Sequence, residues 1–133
     1  MLRRAGHLLL ALCAMVLPLG AHAAPGLSVS LKNYYTDYEI VLECSGKAHL
    51  TPADAEAAKN AIAKVEAYYL KRDPSIDKEG LLKQAVTNKN AAFKMVKGQN
   101  QVEAARFCKA SLNDLVGKLR EIDGASLARE GGS

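Results

Sequence analysis

Residues 51 to 72 read TPADAEAAKNAIAKVEAYYLKR, and this stretch decides the fold class. Thr51 has a side-chain oxygen suited to capping a helix. Pro52 takes the first helical position, where no N–H partner is needed, and Asp54 stands where the acid of a capping box belongs. Ala55, Ala58, Ile62, Val65 and Tyr69 then recur at spacings of three and four, the period of one helix face. The pattern ends near Arg72, because Pro74 pushes Asp73 out of helical geometry. A helix with one apolar stripe must bury it against a neighbour, so the flanking segments determine the architecture.

Upstream, residues 27–45 place Leu31, Tyr34, Tyr35, Tyr38, Val41 and Leu42 on a second helical stripe, with Ser28 or Ser30 as cap and Gly46 as stop. The Ser-Val-Ser-Leu start also fits a short strand. Downstream, Asp73 with Pro74, or Ser75, opens a third helix through Leu81, Leu82, Ala85 and Val86. Continued to Val96, that helix would put Lys89 on its apolar face between Leu82 and Phe93. A lone buried ammonium is costly, so a break is expected in Thr87-Asn88-Lys89-Asn90, with Phe93 and Val96 on a separate turn. After Gly98 a last helix is expected from about Gln101 to Ile122, burying Val102, Ala105, Cys108, Leu112, Leu115, Leu119 and Ile122. Residues 124–133 show no apolar pattern and read as a disordered tail. Short connections between four main helices predict an all-α fold, a small antiparallel helical bundle forming one domain over residues 24–123.

The chain begins with Arg3 and Arg4, an apolar run from Leu8 to Leu17, then Pro18, Gly20 and Ala21-His22-Ala23. This is the order of a secretory signal peptide over residues 1–23, cleaved between Ala23 and Ala24. The apolar run is too short to span a membrane comfortably. Cys13 lies inside it behind the bulky Leu12, which disfavours lipidation at that cysteine. Export places the mature chain in the periplasm or outside the cell, where its two remaining cysteines, Cys44 and Cys108, have a single possible intramolecular pairing. A disulfide is expected, clamping the first helix to the last.

Cleavage also changes the composition. The formal net charge falls from +4 for the whole chain by the two arginines lost, and His49 remains of the three histidines. A nearly neutral chain without a block of cations lacks the footprint of a nucleic-acid binder. One histidine leaves no material for His-rich metal sites or for Ser-His-Asp and Cys-His nucleophiles, so no catalytic, cofactor or metal residue is assigned and a non-enzymatic role is expected. Glu39 and Glu43 share a helix face and read as a solvated surface. Asp73, Asp77, Glu79 and Gly80 resemble part of a calcium loop, but Val86 would stand at the closing bidentate position, so no site follows.

Two clusters remain as a candidate partner surface. All five tyrosines fall in Tyr34, Tyr35, Tyr38, Tyr68 and Tyr69, which suits packing between the first two helices or an exposed patch of Tyr34 with Tyr68. Between Lys83 and Lys109 cations outnumber acids, with Lys83, Lys94 and Lys97 as candidate contacts for an acidic protein, an anionic lipid or a polysaccharide. In size, export signal, helical pattern and single disulfide the chain resembles the small periplasmic acid-stress chaperones and the type VI effector-immunity proteins. The resemblance is one of architecture and transfers no functional residue. It implies an envelope protein that binds a protein partner through helix surfaces. The alternative is a carrier for a small apolar ligand or lipid held between helices.

Overall fold

The computed structural model describes residues 26–132. The signal segment 1–23, its cleavage point at Ala23 and Ala24, and Cys13 lie outside the described residues. The described chain folds as four helices: α1 (Leu27–Gly46), α2 (Pro52–Arg72), α3 (Lys78–Val96) and α4 (Gln101–Glu130). Consecutive helices run antiparallel, as the pairings of Tyr35 with Glu66, Lys89 with Glu43 and Cys44 with Cys108 require.

Local chemistry explains most of the boundaries. At the start of α2 the Asp54 N–H donates to the Thr51 hydroxyl oxygen at 3.1 Å and the Thr51 N–H donates to the Asp54 carboxylate at 3.0 Å, the reciprocal bonds of a capping box. α3 opens at Asp77, whose carboxylate accepts the Gly80 N–H, and not at Asp73 or Ser75. Asp73 is instead the C-cap of α2, and its carboxylate holds the Ser75 N–H and hydroxyl in the connecting turn. Asn100 caps α4 by accepting the Glu103 N–H at 2.9 Å. Neither Ser28 nor Ser30 caps α1. Both lie within the helix, which starts at Leu27 after the N-cap Gly26, without a side-chain cap, and leaves no strand over 28–31.

α1 ends at Gly46, as expected, but the left-handed turn that leads the chain away falls two residues later. Ala48 adopts the left-handed conformation (φ 61°), and the His49 N–H reaches back to the Cys44 carbonyl at 3.0 Å. That geometry normally belongs to glycine, because a β-carbon crowds the following carbonyl.

The packing arrangement departs from a regular four-cornered bundle. α1 packs on α2, α3 and α4, α2 also packs on α4, and α3 rests mainly on α1. The first helix is therefore enclosed on several sides, and one stripe does not account for its burial. Ile40, outside the expected stripe, is buried, and lies one helical turn from Glu43, which faces α3. Leu42, expected inside, is exposed.

Two expectations downstream are corrected by neighbours the local pattern does not reveal. α3 runs unbroken through Thr87–Asn90, because the Lys89 ammonium meets the Glu43 carboxylate of α1 at 3.1 Å, and its side chain is only 17% exposed. The ion pair supplies the partner whose absence argued for a break. α4 continues past Ile122 to Glu130, so residues 124–130 are helical where a disordered tail was expected. This extension is exposed, with Leu127 68% accessible, and its Ser126 hydroxyl donates to the Ile122 carbonyl. Val102 is likewise exposed (66%) because the first turn of α4 projects beyond α1.

Cys44 and Cys108 form the expected disulfide between fully buried positions, with Cα atoms 5.9 Å apart and 64 residues of separation. Loop closure over that span corresponds to about 4 kcal/mol. Replacing both cysteines by serine is expected to lower the unfolding free energy by this order, read as a drop in denaturant midpoint with a slope no smaller than the parent's, because the opened 64-residue loop lets the unfolded chain expand. Ala48→Gly should act oppositely, raising stability by about 0.5–1 kcal/mol in the same measurement through relief of the left-handed strain.

Candidate functional site

At the end of the molecule where α1 stops, α3 and α4 diverge and leave an open groove of about 560 Å³. Phe93 and Val96 of α3 and Ala104 and Phe107 of α4 give it an apolar lining. The two rings meet edge to face with centroids 5.4 Å apart, a favoured aromatic geometry. Lys47, the C-cap of α1, places its ammonium 4.5 Å from the centre of the Phe93 ring, while also pairing with Glu43 at 3.1 Å. Lys94 and Lys97 line the groove as well, and neither forms an ion pair among the described residues. Met95, 84% exposed, and Val102 extend the accessible apolar surface at this end.

His49 and Cys108 also border the groove. A cysteine nucleophile acts as its thiolate, and the Cys108 sulfur is bound to Cys44, so the two residues do not form such a pair.

The five residues of the candidate partner surface are dispersed. Lys94 and Lys97 belong to the groove. Lys83 lies on α3, paired with Glu79 at 3.0 Å. Tyr34 and Tyr68 are partly buried against the core, near Tyr69, whose ring lies 6.1 Å from Tyr34 and 5.2 Å from Tyr68. Tyr34 stands thirteen residues before Lys47 along α1, or about 20 Å at the helical rise, so the tyrosine cluster and the groove occupy opposite ends. Tyr35 donates to Glu66 at 2.7 Å, and the same carboxylate binds Lys78 at 2.7 Å, linking α1, α2 and the start of α3. Burial and the Glu66 bond together push the Tyr35 hydroxyl pKa up. Glu43 likewise belongs to an ion-pair network rather than an acidic pair: burial opposes its charge, but Lys47 and Lys89 outweigh it and hold the carboxyl below its ordinary pKa.

A further arrangement lies along the seam between α1 and α4. Asp37 is half-buried there, facing Asp114 and the buried Ser111, beside a small cleft of about 250 Å³. Burial, then the Asp114 charge, push the Asp37 carboxyl from 3.8 up to about 7, with a Ser111 hydrogen bond pulling the other way. Its sequence signal was its place one turn after Tyr34 and one turn before Val41, inside the apolar stripe of α1. The acids therefore include one close carboxylate pair that their spacing in sequence did not reveal.

Among family models, curated proteins and solved structures, the chain finds no match.

The Asp37 environment gives a pH dependence of definite sign. Because its folded pKa lies above the unfolded value, the folded state gains most from the neutral carboxyl below pH 3.8. That advantage is lost as pH rises through about 7. Asp37→Asn should leave stability near that of the parent at pH 3.5 and exceed it at pH 8, by on the order of 2–4 kcal/mol. Paired denaturant titrations at the two pH values check the difference, and equal midpoints at pH 8 would contradict it.

Proposed function

We propose that the chain is an exported, non-enzymatic envelope protein that binds a protein partner through the groove between α3 and α4. The observation carrying this reading is the pairing of an apolar, aromatic lining with Lys94 and Lys97 at its border, two cations without an ion-pair partner among the described residues, of which the C-terminal end of α3 offsets about half a charge. Such a surface fits a partner segment that presents apolar side chains flanked by carboxylates, in the manner of an amphipathic helix laid in a groove. The signal-like N-terminus, the disulfide and the lack of any spanning helix among the described residues support export. The sparse histidine supply and the oxidised state of Cys108 support a binding role over catalysis. A partner bound this way would make the protein chaperone-like or inhibitor-like.

The groove volume also suits a small-ligand site, which favours a second reading as a carrier of an apolar ligand or lipid. Against it, the space is open at the surface and bordered by charged side chains.

A photoreactive benzophenone side chain placed at Phe93 separates the two in cells that export the protein. The expected result is a discrete protein adduct that Lys94→Glu with Lys97→Glu reduces about tenfold, the loss of on the order of 1.4 kcal/mol of binding. Absence of any protein adduct, with lipid in the native mass spectrum of purified protein that disappears in Phe93→Ala, would replace the partner reading with the carrier.

A further inference from the structure

α2 and α4 are parallel neighbours. Asp54 of α2 meets Lys109 of α4 at 3.8 Å, and further along Tyr68 of α2 faces Lys118 of α4 at 5.5 Å. Both helices therefore bring their C-terminal turns to the same end of the molecule, remote from the groove. There they enclose a cleft of about 260 Å³ lined by Lys64, Lys71 and Arg72 of α2 and by Arg129 of α4, around Tyr68. No carboxylate lines the cleft, and none of the four cations makes an ion pair among the described residues.

Cations in a last helical turn have an ordinary explanation, since they offset the negative end of the helix dipole. Its magnitude is too small here. Each helix end is equivalent to about half a negative charge, so the two ends together balance about one cation. Four are present, and Lys64 lies two turns before the end of α2. A surplus of about three positive charges remains in one cleft, where like charges repel.

Arg72 is also oriented beyond what a solvated arginine needs. Its guanidinium lies 3.4 Å over the Tyr68 ring, and one of its N–H groups donates to the Tyr68 carbonyl at 3.1 Å. The ring contact and the carbonyl hydrogen bond hold the guanidinium from two sides while leaving further N–H donors for another acceptor. Lys64, Lys71 and Arg129 are exposed and line the same cleft. Surplus charge gathered about one oriented guanidinium suits a compact, multiply charged oxyanion.

We propose that the cleft between the C-terminal halves of α2 and α4 binds a phosphate group, with Arg72 as the oriented fork and Lys64, Lys71 and Arg129 as neutralising charges. A phosphorylated lipid headgroup and a free phosphate ester present the same chemistry. The site is separate from the α3–α4 groove and does not rest on the partner reading.

Titration of the full oxidised chain with inorganic phosphate, followed by NMR, tests it against chloride at equal ionic strength. Saturable shifts at the Arg72 and Arg129 side chains are expected, with a Kd on the order of 1 mM at low salt. Lys64→Gln with Arg129→Gln should weaken binding about tenfold, and Arg72→Lys, which keeps the charge and loses the fork, should also weaken it. These exposed substitutions are checked for unchanged thermal unfolding. Co-sedimentation with phosphatidylglycerol vesicles, but not phosphatidylcholine vesicles, identifies a membrane source, whereas phosphate binding without sedimentation identifies a soluble one. Shifts no larger than those with chloride, or phosphate affinity unchanged in the double variant, overturn the proposal.

Discussion

The covalent link between Cys44 and Cys108 joins the end of α1 to the first third of α4, at the end of the molecule where the helices separate. Without it, the first turns of α4 would depend on side chains that remain exposed, Val102 among them, and on the edge-to-face contact of Phe107 with Phe93. The chain entropy removed by the link, about 4 kcal/mol, is of the size of a small domain's whole net stability. The groove thus opens beside the most constrained point of the fold.

The second constraint is the enclosed position of α1. A helix touched by three others cannot reserve one face for water, and its polar side chains must find partners across the seams. Glu66 answers Tyr35 and Lys78, and Glu43 answers Lys47 and Lys89. Asp37 differs in that no cation answers it: Ser111 hydrogen-bonds to it, but the charged group opposite is a second carboxylate. The core is consequently stitched by polar contacts at its margins as well as filled by Leu31, Val41, Val65 and Leu115 at its centre.

What the sequence disclosed followed the range of the interactions involved. The capping box of Thr51 and Asp54 acts within four residues, so the start of α2 was readable, and the disulfide followed from the two cysteines left when residues 1–23 are read as a signal. The continuity of α3 was hidden because it depends on Glu43, 46 positions before Lys89 in the chain. The helical extension of α4 was hidden for the opposite reason: it is held by local hydrogen bonds and buries little, so it leaves no apolar periodicity. Of the candidate surface, Lys94 and Lys97 could be singled out as charges, but their common border with Phe93 and Phe107 depends on how α3 and α4 diverge. The cluster of Lys64, Lys71, Arg72 and Arg129 was similarly invisible until α2 and α4 were seen to be parallel neighbours.

The mainly one-sided seating of α3 has a mechanical consequence. Elements with few neighbours open at lower free energy than the body they rest on. α3 is supported chiefly by α1, with Lys78 and Lys89 as pins near its start and middle, while α4 is stapled by a covalent bond. The groove therefore has one wall tied to α1 by a covalent bond and one wall held by side-chain contacts alone, Lys89 on Glu43 and Phe93 on Phe107 among them.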